Sequence, residues 1–147
     1  MSTRARIAIE DEGKIIGSYV HSDGYPGGLG YNLMNNWLDP DKVKEAILLG
    51  DASYWTDRPG ENFYYGRDRG EINVDYKVYI HELDYLSRGD SSGEEFLYLA
   101  RKNKIGVEWF VADWENKNLR PLAEEAIKER ITILKHELAA IKSRKAA

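Results

Sequence analysis

His21 and Asp23 stand two residues apart in the run His21-Ser22-Asp23-Gly24-Tyr25-Pro26-Gly27-Gly28-Leu29-Gly30, among four glycines and a proline. An imidazole oriented by a carboxylate is the usual apparatus of a general base. No serine or cysteine is placed as its nucleophile, so no catalytic residue is assigned. The glycines ahead of a helix offer a second chemistry, in which backbone amides cradle a phosphate at the helix's positive end. The stretch has no lysine and matches neither the P-loop nor the dinucleotide fingerprint. The plain alternative is a tight strand-to-helix turn. In it Asp23 bonds backbone amides in an Asx turn, Gly24 takes a positive φ and Pro26 stiffens the exit. For Asp23 the turn reading is preferred, whereas His21 is kept as a ligand contact.

Arg58, Arg67 and Arg69 lie close in sequence to Phe63, Tyr64 and Tyr65. Guanidinium groups grip phosphates bidentately and aromatic rings stack on bases, which are the ingredients of a nucleotide site. The structural alternative is an Arg–Asp network through Asp57 and Asp68 that pins the loop. The expected ligand set is therefore His21, Asp23, Tyr25, Gly28, Arg58, Tyr65, Arg67 and Arg69, with no catalytic and no metal-binding member. Only three histidines exist, His21, His81 and His136, and cysteine is absent. No metal site, disulfide or cofactor is expected.

These residues need elements to position them. Arg4 to Glu10 alternates, Asp11-Glu12-Gly13-Lys14 reads as a turn, and Ile15 to Val20 resumes as a strand, giving a β-hairpin. Leu29, Leu33, Met34 and Trp37 fall at helical spacing. Asp39 caps a second helix with Pro40 in its first position and Gly50 at its end. Asp51 to Gly70 lacks a period and reads mostly as loop, ordered by its aromatics. Ile72 to Ile80 alternates as a strand with Ile72, Val74, Tyr76, Val78 and Ile80 on one face. His81 to Arg88 forms a turn or short helix. Phe96 to Ala100 and Ile105 to Ala112 form a second hairpin. A helix over 119–145, with Pro121 in its first turn, carries Ile127, Ile131, Leu134, Leu138 and Ile141 at steps of four and three, the seam of a coiled coil. The expectation is a single α+β domain over 1–147: an antiparallel sheet from two hairpins and a middle strand, two short helices after the first hairpin, and a long C-terminal helix that joins copies into a homo-oligomer.

Composition agrees with an ordinary globular chain, at 147 residues with 42% hydrophobic and 31% charged. No apolar run reaches a membrane span, and residues 1–6 lack the apolar core of a signal peptide, so a cytoplasmic home is expected. The net charge of -4 gives nucleic acid no general attraction. Ten tyrosines and four tryptophans supply amphipathic rings suited to binding surfaces.

The run Ser18-Tyr19-Val20-His21-Ser22-Asp23-Gly24-Tyr25-Pro26, with the later Tyr65-Gly66-Arg67-Asp68-Arg69-Gly70-Glu71, resembles a group of small proteins encoded by bacteriophages and prophages. Their pattern is His-aromatic-Asp-Gly-Tyr-Pro followed by a His-Arg-Asp-Arg-Gly-Glu-like box, and the likeness covers the first half of the chain. Ser22 replaces the aromatic and Gly66 the histidine. The resemblance implies a viral accessory protein acting in the host cytoplasm. By analogy of lifestyle, such proteins blunt bacterial defence by sequestering nucleotide signals. The expected function is then a counter-defence binding protein for a small anionic, nucleotide-like ligand, in a pocket that a neighbouring copy helps to complete. The alternatives are a protein-binding inhibitor of a host enzyme and, further off, a small hydrolase using His21.

Overall fold

The computed structural model describes residues 2–58 and 60–146; Pro59, which punctuates the aromatic loop in sequence, lies outside them. Strands β1 (Ala5–Asp11) and β2 (Lys14–Val20) form the first hairpin, closed by Glu12 at φ 50° and Gly13 at φ 79°. Two left-handed residues match the twist of the flanking strands, which is why glycine sits at the second of them. Strands β6 (Phe96–Lys102) and β7 (Val107–Asp113) form the second hairpin. Short strands β3 (Ala52–Tyr54), β4 (Phe63–Tyr64), β5 (Lys77–Tyr79) and β8 (Arg120–Pro121) complete a sheet ordered β4–β3–β2–β1–β6–β7–β8, with β5 also paired to β2.

The α+β class is as expected, but the sheet is mixed. β1 pairs with β6 in parallel, and so does β2 with β3. Burial explains the arrangement. Ala5, Ile7, Ala8 and Ile9 of β1, with Leu97 to Ala100 of β6, are buried whichever face they point to. The two hairpins therefore join through their inner strands, each strand covered on both faces.

One face carries Ala5, Ile7, Ile9, Ile16 and Val20. It is covered by a single π-helical turn (Pro26–Gly30), helix α1 (Tyr31–Asn36), helix α2 (Pro40–Leu48) and the start of helix α5 (Ala123–Ala146). Asp39 caps α2 as expected, its Oδ1 accepting from the Asp41 amide at 2.9 Å. The opposite face carries Ala8, Ile15, Leu97 and Leu99 beneath Tyr79 of β5 and Tyr85 and Leu86 of helix α4 (Glu82–Arg88).

Three expected elements differ. Only Lys77–Tyr79 of the 72–80 stretch is a strand, and its inward residue is Tyr79, on the parity opposite to that expected; Ile72 and Ile80 are exposed. Asn73 at φ 62° breaks the extended run, and the Tyr79 ring packs edge-on against Tyr85. The 51–70 stretch is not mostly loop: it holds β3, β4 and the one-turn helix α3 (Tyr65–Arg69). Helix α5 begins at Ala123, because Arg120 and Pro121 pair with Val111 and Phe110 instead.

Beneath α4, the Arg6 and Glu94 side chains are buried together. Arg6 Nε donates to Glu94 Oε2 at 2.7 Å and to the Gly89 carbonyl at 3.1 Å, and the Ser92 amide donates to Glu94 Oε1 at 2.7 Å. Burial opposes the Arg6 charge, yet Glu94, with Tyr79 and Tyr85 nearby, holds its pKa above the usual value. Replacing Glu94 with alanine strands that cation in the interior. We expect a loss of about 3–5 kcal/mol in urea unfolding, much of it restored by the double change Arg6→Met with Glu94→Leu.

Candidate functional site

The glycine-rich stretch is built for close packing against α5. A Cβ on Gly27 would stand 2.9 Å from Glu129 Cγ and 3.1 Å from the Arg130 amide, and one on Gly30 would stand 3.0 Å from Leu122. Its amides are engaged within the protein. Gly27 N–H donates to Glu129 Oε1 at 3.2 Å, Gly28 and Gly30 N–H to the Tyr25 carbonyl, and Leu29 N–H to the Asp23 carbonyl. The anion at this turn is the chain's own Glu129. Asp23 takes the left-handed conformation at φ 57° and Gly24 does not; the exposed Asp23 carboxylate meets no amide among the described residues. Gly24 is required by crowding, since a Cβ there would fall 2.7 Å from Ala5 Cβ and 2.8 Å from the Thr3 carbonyl. Tyr25, half-buried, lies over Gly28.

The arginines of the middle segment are held by their neighbours. Arg67 bonds Asp68 at 2.9 Å and the Asn62 carbonyl at 2.8 Å while lying over the Tyr64 ring. Arg69 pairs with Glu71 at 2.8 Å and lies over Tyr65, and Arg58 faces Glu61 at 4.0 Å. Asp68, named in sequence as a loop-pinning partner, also accepts from the Tyr64 amide at 2.8 Å. Arg67 lines a small recess of about 150 Å³ with Trp37, Lys42 and Tyr64, separate from His21. Three of the four tryptophans are core residues (Trp37, Trp55 and Trp109), leaving Trp114 as the exposed one.

His21 is organised differently. Its amide and that of Ser22 extend β2 along β3, donating to the Ala52 and Ser53 carbonyls. Tyr19, two residues back on the same face, places its hydroxyl 2.7 Å from His21 Nδ1. Burial raises the Tyr19 phenol above its usual value; Arg4 opposes the shift, while Tyr65, Glu94 and Asp51 add to it. Asp51 ties the segments together: its Oδ1 accepts from the Tyr19 amide at 3.0 Å and its carbonyl from the Tyr65 amide at 3.1 Å.

The Tyr19 hydroxyl occupies Nδ1, so Nε2 is the ring nitrogen left to meet a ligand. The ring lines a recess of about 430 Å³ with Ser2, Arg4, Gly93 and Glu95. The Arg4 guanidinium makes one long hydrogen bond, 3.4 Å to the Ser92 carbonyl, and no carboxylate pairs with it among the described residues. Gly93, at φ 85°, lets that guanidinium pass 2.9 Å from where a Cβ would stand. Of the expected set, His21 lines this recess and Arg67 lines another; Arg4 joins His21, and Tyr19 holds its ring. Tyr19 was legible as the residue two before His21 on one strand face. Nothing in the sequence marked Arg4, whose place depends on the distant Gly93 loop.

Among the described residues no cluster of three or more His, Asp or Glu side chains is placed to hold a metal ion, and no helix is long and apolar enough to cross a membrane. Comparison with protein-family models, with curated proteins and with solved structures finds no match.

Asp51 gives a test of this neighbourhood. Burial raises its carboxyl above the usual carboxylate range, against the Tyr19 amide and the charges of Arg6 and Lys77. A carboxyl with a higher pKa folded than unfolded favours the fold in its protonated form. That contribution is complete below the unfolded value and is lost as pH rises through the folded one. Asp51→Asn keeps an acceptor for Tyr19 and removes the buried charge. It is expected to raise the urea midpoint at pH 7, with the gain closing at about pH 3, where the parent carboxyl is protonated in both states.

Proposed function

We propose that this protein is a binding protein for a small anionic ligand of the nucleotide kind, held at the Arg4–His21 recess. The observation that carries the reading is the pairing of an Arg4 guanidinium without a carboxylate partner with a His21 ring whose Nδ1 is already engaged by Tyr19. Such a pair offers an anion one cationic fork and one ring nitrogen, Nε2, on the same recess. Ser2 shares the recess, but no hydrogen bond joins it to His21 among the described residues, so binding is favoured over hydrolysis. Self-association through α5 belongs to the same reading. Its setting, a phage accessory protein that quenches a defence signal in the host cytoplasm, rests on the resemblance of the His21 and Arg67 motifs alone.

Thermal-shift titration with a panel of mono-, di- and cyclic nucleotides tests it. A binder present at 100 times its Kd stabilises by about 2.7 kcal/mol, a clear rise in Tm. Arg4→Ala and His21→Ala are each expected to weaken that binder at least tenfold, and Tyr19→Phe less, by releasing the imidazole ring from its hydroxyl anchor. Arg67→Ala is expected to leave affinity unchanged. No shift with any nucleotide, or equal loss from Arg67→Ala, would count against the recess.

A further inference from the structure

Helix α5 has two faces with different fates. Ala126, Glu129, Arg130 and Ile133 meet the body: Ala126 is buried, Glu129 receives the Gly27 amide, and Arg130 lies over the Tyr31 ring. Roughly 110° around the helix, at 3.6 residues per turn, runs the stripe Ile127, Ile131, Leu134, Leu138 and Ile141. Each of these five leaves 41–50% of its surface open to water. From Leu134 to Lys145 every described residue is exposed, so the last three turns leave the body altogether. An isolated helix of that length is marginal in water, and five aliphatic side chains in one line are costly to leave wet.

We infer that this stripe is the seam of a parallel two-stranded coiled coil with a second copy of the chain, resting on the self-association reading above and adding its orientation. In heptad terms Ile131 and Leu138 occupy a, and Ile127, Leu134 and Ile141 occupy d. Parallel pairing sets each of the five against itself. Antiparallel pairing must set a against d, and only two registers overlap well. One faces Ile127 with Lys145; the other faces Ile141 with Glu124. Flanking charge disfavours one of these registers. The first antiparallel register opposes Lys135 to Lys135, Glu137 to Glu137 and Arg130 to Arg144. The parallel arrangement balances each Glu137–Lys142 contact against one Arg130–Lys135 contact, and the second antiparallel register balances Arg130–Glu137 against Lys128–Lys135, so the aliphatic layers decide between those two. Two strands suit Ile131 at a with Leu134 at d, whereas Leu138 and Ile141 stand in the reverse order. The lysines decide, since two strands keep Lys128, Lys135 and Lys142 at the solvated margin where larger bundles would crowd them.

The natural absence of cysteine makes orientation directly measurable. Light scattering on the full chain at about 100 µM should give twice the 16.9 kDa chain mass. Leu134→Glu should return it to one chain mass with its Tm little changed, the residue being exposed in the monomer. Under mild oxidation Leu134→Cys alone should form an interchain disulfide, because position 134 faces its own copy. A monomeric parent overturns both self-association and its orientation, and assigns the stripe to some other partner. A dimer whose disulfide forms only when Leu134→Cys is mixed with Leu138→Cys or Ile131→Cys overturns the parallel arrangement while leaving self-association in place.

Discussion

The buried Arg6–Glu94 pair is the constraint on which the α4 side of the molecule depends. β1 is the middle strand of the sheet and must be covered on both faces, yet one of its inward residues is a cation. That cation is paired, through its Nε, with Glu94 of the loop entering β6 and with the Gly89 carbonyl at the end of α4, while its buried Nη1 has no hydrogen-bond partner among the described residues. Glu94 in turn holds the Ser92 amide, which shapes the loop whose Gly93 lies beside Arg4. A charge paired out of water stabilises little by itself but penalises every arrangement that would separate its partners. The pair fixes where α4 and the 89–95 loop sit on the sheet, and the candidate recess borders that loop.

The two faces are held by different means. The helix-bearing face relies on apolar contact, with Trp37 at its centre: its Nε1–H donates to the Thr56 carbonyl at 2.9 Å and its own carbonyl accepts from Trp109 Nε1 at 2.9 Å. The α4 face relies on two tyrosines packed edge to face, Tyr79 and Tyr85, of which Tyr85 donates its hydroxyl to the Tyr98 carbonyl at 2.8 Å. Tyr98 in turn points to the first face and donates to the Gly24 carbonyl at 2.6 Å, so the strand-to-helix turn is bonded to the sheet beneath it.

Local chemistry was readable from the sequence, and assembly was not. Glu12-Gly13 announced its hairpin turn and Asp39-Pro40 its helix start, because each signal is fulfilled within four residues. The parallel join of β1 to β6 depends on contacts some ninety positions apart and leaves no local mark. The 72–80 strand misled because alternation there reflects exposed Ile72 and Ile80, while a single tyrosine of the other parity supplies the buried contact. At the candidate site His21 was legible as a chemically able residue at a strand end. The glycine run looked like an anion cradle because sequence does not reveal that Glu129, a hundred residues later, occupies it.

The sheet's outermost strands, β4 and β8, are two residues long, and one of them ends in Pro121. Rims this short, one carrying a proline that has no amide to donate, offer an incoming strand almost nothing to zip onto. Those two rims are accordingly poor templates for edge-to-edge stacking.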